Sequence, residues 1–316
     1  MNLQVVTQSQ FPAVPMADIN QAKQFIRSRH SDATRRAYAS DVMAFKVWCD
    51  SMGLEALPAL PESVVLFLSA HANLRPSTLT RRLAAIRHIH KEAGFTSPAD
   101  AEIVKSTLSG IKRVCGTSAR QVAPATAERV QSMLVMCGDS LQGCRDRALL
   151  ALGFGGAFRR SELVGLTVEA IQIDDAGLRV RLGRSKTDQE GAGQVVPVLD
   201  GTKLKVRAAL EAWLKLSGIT EGPVFRSISK SGRISDKGLS DRSVADIVKH
   251  RAEQAGLDPA VFSGHSLRAG FLTSAAASGA NLFKMMEVSR HRKVDTVRGY
   301  IRMADQFKDH AGMAFM

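Results

Sequence analysis

The sequence predicts a mainly α-helical chain of two domains: an N-terminal all-α helical bundle, then a C-terminal mixed α+β domain in which helices surround a small antiparallel sheet. Three observations carry that prediction. At 316 residues the chain is long enough for two separate cores. Helical periodicity alone runs from Ser31 to about residue 114, whereas a period-two alternation of polar and apolar residues is confined to Ile171–Leu199. Between them, Lys112–Glu128 (KRVCGTSARQVAPATAE) is small, basic and proline-containing, the composition of an inter-domain linker. The expected division is a flexible tail at 1–15, a helical domain at 16–117, a linker at 118–125 and a second domain at 126–316.

Each element has a local reason. In the first predicted helix, Val42, Phe45, Cys49 and Met52 recur at spacings of 3, 4 and 3, and Gly53 supplies a stop. About 30 residues precede it. A second helix opens on Pro61, since proline suits the first helical position, and runs through VVLFLSAH. The third follows Pro76 and turns Leu79, Leu83, Ile86 and Ile89 inward before Gly94. The fourth spans about 100–114, with Val104, Leu108 and Ile111 inward. In the second domain, helices are expected at Thr126–Met136 and Gln142–Gly153. Two glycines in GGAFRRSELVGL break the latter, and RRSELVGL starts another helix with Leu163 and Leu166 inward. In LRVRLG, Leu178, Val180 and Leu182 face one side while Arg179 and Arg181 face the other, as in a half-exposed antiparallel strand. GRSKTDQEGAG joins this strand to QVVPVL. A helix with Leu204, Leu210 and Trp213 comes next, then PVF, a polar loop (ISKSGRISDKGLSD), and helices to the end.

The formal net charge is +13 and the pI near 10.0, which favours a polyanionic partner, nucleic acid before acidic membrane. The polar faces of the first domain concentrate that charge: Arg35 and Arg36 on one helix, then Arg75, Arg81, Arg82, Arg87, His88 and Lys91 around another. Arginines crowded on two helices with few acids between them suit phosphate contacts. No run of 18 apolar residues and no secretory leader pattern is visible. Cys49, Cys115, Cys137 and Cys144 form no C-x-x-C pair and read as reduced thiols of a cytoplasmic protein.

The chemistry-bearing stretch runs from Gly264 to Ile301. It holds GHSLRAG, with His265 three residues before Arg268, then SRHRKVDTVRGYI, with His291 nine residues before Tyr300. The chain has only two tyrosines, and the other, Tyr38, lies in the first domain. A phenol can accept a phosphoryl group and later leave from it. The attacked diester is anionic and gains charge in the transition state, so catalysis rests on fixed cations around its oxygens. Guanidinium pairs bidentately with such oxygens.

GGAFRRSEL, GRSKT, SGHSLRAG and the His-to-Tyr interval of RHRKVDTVRGYIR together resemble the tyrosine recombinase (phage integrase) family, nearest to the Cre-like simple recombinases. The resemblance covers almost the whole chain from about residue 30. It implies a helical core-binding domain of SAM-like type ahead of a catalytic domain. It also implies a catalytic set of Arg159, Glu162, Lys186, His265, Arg268, His291 and Tyr300. Arg159 corresponds to the first family arginine, with Arg160 its one-residue alternative, and Glu162 to the acidic residue that buttresses the site. Lys186 corresponds to the hairpin lysine that protonates the leaving 5′-oxygen. His291 stands where the family has His or Trp, and Tyr300 where it has the nucleophile. One departure stands out: Ser289 and Arg290 precede His291 where many members have Leu-Gly.

The mechanism so implied is in-line attack by Tyr300, assisted by His265, giving a 3′-phosphotyrosyl bond and a free 5′-hydroxyl. Because the phosphotyrosine conserves the bond energy, no cofactor is expected, and no metal-binding pattern is visible. The implied partner is double-stranded DNA with short inverted-repeat sites. The implied assembly is a homotetramer at synapsis from a protein that is monomeric when free, its C-terminal segment docking on a neighbour or, alternatively, packing on its own domain. Two other classes use overlapping features: a type IB topoisomerase-like nicking-closing enzyme and a catalytically inactive DNA-binding protein.

Overall fold

The computed structural model describes residues 16–116, 122–183 and 193–304. Two compact units divide the chain, Met1–Ala119 and Arg120–Met316.

The first unit is all helical: α1 (Met16–Ser28), α2 (Asp32–Ser51), α3 (Pro61–Ala70), α4 (Pro76–Glu92) and α5 (Glu102–Cys115). Ser31 caps α2 by accepting the Thr34 amide, and Pro61 and Pro76 open α3 and α4. Phe45, Cys49, Val64, Phe67, Leu68, Leu79, Leu83, Ile86 and Val104 form the core.

Four sequence expectations need correction here. Helix α1 lies inside the roughly 30 residues expected to precede the first helix. Met16, Ile19, Ala22 and Ile26 recur there at helical spacing, although none of these side chains is fully buried and Phe25 is 68% exposed. Met52 is exposed at the cap of α2, and the buried stripe instead includes Asp41, held by Arg81. His90, not Ile89, takes the deep place on α4. Its Nε2 accepts the Ala59 amide, which leaves Nδ1 to donate to the Ile86 carbonyl. The fourth correction concerns the second unit and follows.

That unit contains α6 (Ala127–Val135), α7 (Leu141–Gly155) and the short α8 (Arg160–Val164), then β1 (Ile171–Asp174), β2 (Gly177–Leu182) and β3 (Gln194–Leu199). The three strands form an antiparallel sheet in the order β1-β2-β3, with Val180 opposite both Ile171 and Val196. Leu178, Val180 and Leu182 are buried while Arg179 and Arg181 are exposed, the alternation that a one-sided sheet requires. Helix α9 (Val206–Ser217) packs on α7 and buries Trp213, whose Nε1 donates to the Val224 carbonyl. The stretch expected to be a polar loop is a hairpin of β4 (Arg226–Ile228) and β5 (Ile234–Gly238). Its strands are short and its register irregular, so no alternation marks them in sequence. The remaining helices are α10 (Asp241–Gln254), α11 (Ser266–Ala277), α12 (Leu282–Ser289) and α13 (Val294–Ala304).

Helix α7 is buried along most of its length and is the pillar against which α9 and α11 pack. The chain entering the unit is stitched to α11. The Ala125 amide donates to the Ser266 carbonyl, and the Ala127 amide donates to Ser274 Oγ. Gly270 makes this approach possible, because a Cβ there would sit 1.7 Å from the Ala125 carbonyl oxygen. Backbone cannot yield as a side-chain tip can, so Gly270→Ala should destabilise the protein by about 3 kcal/mol or more. Urea denaturation would measure this, and a loss within about 0.5 kcal/mol would refute the argument.

Candidate active site

Three short segments of the second unit bring the predicted residues together. The first is the turn from α7 into α8. Ala157 sits in the left-handed region (φ 44°), so the chain reverses sharply there and presents Arg159 as the N-cap of α8. Glu162, one turn later, is 8% exposed. It accepts the Arg159 amide at 2.8 Å through Oε2 and pairs with the Arg159 guanidinium through Oε1. A helix-surface glutamate would be neither buried nor doubly engaged. Arg160 points elsewhere: its guanidinium lies 3.6 Å from Asp241, and its stem packs on Gly264. The geometry therefore puts Arg159 in the cluster and Arg160 beside it.

The second segment is the start of α11. His265 is its N-cap, and Arg268, one turn in, is 1% exposed with Nη1 donating to the Ala157 carbonyl at 2.7 Å. Burial, then Arg159 and Arg290, push the Arg268 pKa down to about 9, which still leaves a full cation at neutral pH. Its charge is only partly compensated, a state that suits an anion's arrival.

The third segment is the α12–α13 turn. Ser289 Oγ donates to the Met285 carbonyl at 2.6 Å, so its contact with His291 Nδ1 at 2.7 Å must be accepted from that nitrogen. His291 is thereby held as the Nδ1–H tautomer, with Nε2 3.3 Å from Arg268 Nη2. Burial, then Arg268 and Arg159, push its pKa down to about 4. Tyr300, on α13, places its hydroxyl 3.5 Å from His265 Nε2. Burial raises the phenol above its ordinary pKa, and Arg268 works against that rise. Tyr38, by contrast, packs between His30 and His88 in the first unit.

His265 is exposed as a residue, yet crowding of its ring by protein, then Arg268, Arg159 and Arg160, pushes its pKa below the ordinary 6.5. A depressed imidazole is neutral above that value and charges only below it. At neutral pH it can therefore accept a proton from Tyr300. A reaction that relies on His265 as that acceptor should change little between pH 8 and 7 and weaken as the pH falls below the ordinary 6.5. A decline already evident between pH 8 and 7 in single-turnover cleavage would contradict this.

Sequence reasoning missed Arg290. It is 5% exposed and reaches back to Glu162 Oε2 at 2.8 Å. Its only sequence signal was arginine in place of the family's glycine, next to a helix end. Lys186 lies outside the described residues. Among those described, no group of three or more His, Cys, Asp or Glu could hold a metal ion, and no helix is long and apolar enough to cross a membrane.

In the first unit, Arg81 forks onto Asp41 (2.7 and 3.0 Å), Arg87 pairs with Asp100 at 2.7 Å, and Arg35 pairs with Asp32. Arg82 is half-buried with its guanidinium over the Phe67 ring, whereas Arg36, Arg75 and Lys91 are exposed.

Comparison with known proteins decides the family. The model described as "Phage integrase family" matches residues 125–306, more than half the chain, and "Phage integrase, N-terminal SAM-like domain" matches residues 23–94. The chain belongs to the phage integrase family. This tyrosine recombinase is 37% identical over 297 residues to an integrase/recombinase xerD homolog of Selenomonas ruminantium, covering 92% of this chain and 87% of that one. It is 26% identical to recombinase cre of Escherichia phage P1, covering 88% and 86%. Among solved structures, the recombinase shares the fold of XerH site-specific recombinase bound to palindromic difH substrate (TM-score 0.62, 16% identity, 86% and 76% covered). It also shares that of a lambda integrase dimer bound to a COC′ core site (TM-score 0.60, 15% identity, 93% and 78% covered). Like its family, the recombinase cleaves and rejoins DNA at specific sites.

Proposed function

We propose that this recombinase cuts each strand with Tyr300. The hydroxyl attacks the scissile phosphorus in line, His265 takes its proton, and the phosphorus–5′-oxygen bond breaks to leave a 3′-phosphotyrosyl link. Arg159 and Arg268 bind the non-bridging oxygens. His291 contributes its Nε2 side once the phosphate's charge favours protonation there. Lys186 returns a proton to the departing 5′-oxygen. The free 5′-hydroxyl of a second duplex reverses the step, which is strand exchange. The observation that carries this reading is the Tyr300 hydroxyl 3.5 Å from a neutral His265, beside a buried and underpaired Arg268.

The substrate is double-stranded DNA bearing short inverted-repeat sites, gripped in the first unit by Arg36, Arg75 and Lys91 together with Arg35, Arg81, Arg82 and Arg87. Two sites are synapsed in the cytoplasm by four copies of a protein that is monomeric when free. The DNA-bound state of the XerH and lambda integrase structures supports the choice of partner.

Covalent trapping tests the assignment. Wild-type protein is incubated with nicked suicide duplexes drawn from the source replicon, and adducts are resolved on denaturing gels. After nuclease and trypsin treatment, cleavage beyond Arg298 and Arg302 should release the peptide Gly299–Arg302 carrying a nucleotide on its tyrosine. A nucleotide on the Tyr38 peptide, or no adduct despite tight binding, would overturn the nucleophile. Equal cleavage of unrelated duplexes would point to a nicking-closing enzyme instead.

A further inference from the structure

Arg290 occupies a place where its backbone would prefer glycine. It caps the C-terminus of α12 in the left-handed region (φ 59°, ψ 37°), where most side chains are disfavoured. Its guanidinium is buried, which costs solvation. Most of this is offset by what Nη1 and Nη2 reach, while the buried Nε has no hydrogen-bond partner among the described residues. Nη1 donates to the Gly156 carbonyl at 3.0 Å and the Val288 carbonyl at 2.6 Å. Nη2 donates to the Ala157 carbonyl at 2.9 Å and to Glu162 Oε2 at 2.8 Å. The guanidinium carbon lies over the Phe158 ring, 5.2 Å from its centroid.

These contacts join pieces that the chemistry needs in register. Glu162 also orients Arg159, and the Ala157 carbonyl also anchors Arg268. The Arg290 carbonyl accepts from Arg159 Nη2 at 3.3 Å, and the next residue is His291. One side chain thus ties the α7–α8 turn, which carries Arg159, to the turn that leads into the helix of Tyr300.

We propose that Arg290 is a positioning residue for strand cleavage, holding Arg159 and Arg268 in register with the His291–Tyr300 segment through Glu162 and the Ala157 carbonyl. The inference rests on the assignment of Tyr300 and Arg159 above. It predicts that a residue touching no DNA controls the rate of phosphotyrosine formation. The chemistry itself is unchanged by Arg290; what it sets is the distance over which that chemistry runs.

Arg290→Gly is the informative substitution, because it removes the guanidinium and gives the backbone the residue it favours. Suicide-substrate cleavage at saturating protein should slow by about 10- to 100-fold, the loss expected when reacting groups shift by about an ångström. The DNA dissociation constant should stay within about twofold, since the loss is confined to the reacting geometry. In the Glu162→Gln background, Arg290→Gly should add little, because both act on one network. Arg290→Lys retains the charge but not the fork, and should be slowed at least about fivefold. It also serves if Arg290→Gly melts below the assay temperature.

Cleavage at the wild-type rate by either folded variant would overturn the inference alone. So would a loss fully additive to that of Glu162→Gln, which is what a merely structural plug would give. A wild-type protein that forms no adduct would overturn the nucleophile assignment and this inference together.

Discussion

Tyr300→Phe should cut covalent adduct formation by at least about 10⁴-fold, a barrier increase of about 5.5 kcal/mol, while leaving DNA affinity unchanged. The substitution deletes one oxygen and nothing else. The ring of Tyr300 is half-buried against α11 and α12 in a small cluster with Leu272, Met285 and Val297, and phenylalanine preserves that packing. Among the described residues the hydroxyl makes a single contact of note, the 3.5 Å approach to His265, so folding loses little when it goes. Gel shift and suicide-substrate cleavage, run side by side, separate the two quantities. An adduct persisting in the variant would show that another group attacks the phosphorus.

The second large effect concerns Arg268. Arg268→Ala should lower the cleavage rate by about 10³-fold, the upper end of the loss when one preorganised donor is removed from a developing oxyanion. Arg268→Lys should lose about 100-fold, because lysine keeps the charge but cannot hold the Ala157 carbonyl and a phosphate oxygen with one planar fork. The cause can be checked chemically. A substrate with an uncharged methylphosphonate at the scissile position needs less cationic stabilisation, so the gap between Arg268→Ala and wild type should narrow on it. An unchanged gap would mean that Arg268 serves packing and not charge.

Much of the site was legible because its residues have few substitutes. Tyr300 and the HSLR pair could be read from their chemistry, whereas Arg159, Glu162 and His291 were assigned by the resemblance to the tyrosine recombinase family. The structure brings Arg159, Glu162, His265, Arg268, His291 and Tyr300 into one cluster. Arg290 escaped because its role depends on a backbone conformation. Residue type alone does not reveal that a chain turns left-handed and sends a long side chain inward. The β4–β5 hairpin escaped for a different reason, since strands of three and five residues with an irregular register carry too little alternation to read. Helix α1 was passed over although Met16, Ile19, Ala22 and Ile26 recur at helical spacing, a stripe that no core residue covers fully. Where burial and period coincided, as in β2, the element was plain.

The carbonyl oxygen of Ala157 has a consequence beyond its hydrogen bonds. It accepts from both Arg268 and Arg290, at a residue whose own conformation is unfavourable. Errors at this point are therefore correlated. A displacement of the turn would move Arg268 and the Arg290 segment that leads to Tyr300 in the same step. For a catalyst that passes through a cut DNA strand, reacting groups that lose register together are safer than groups that fail one at a time.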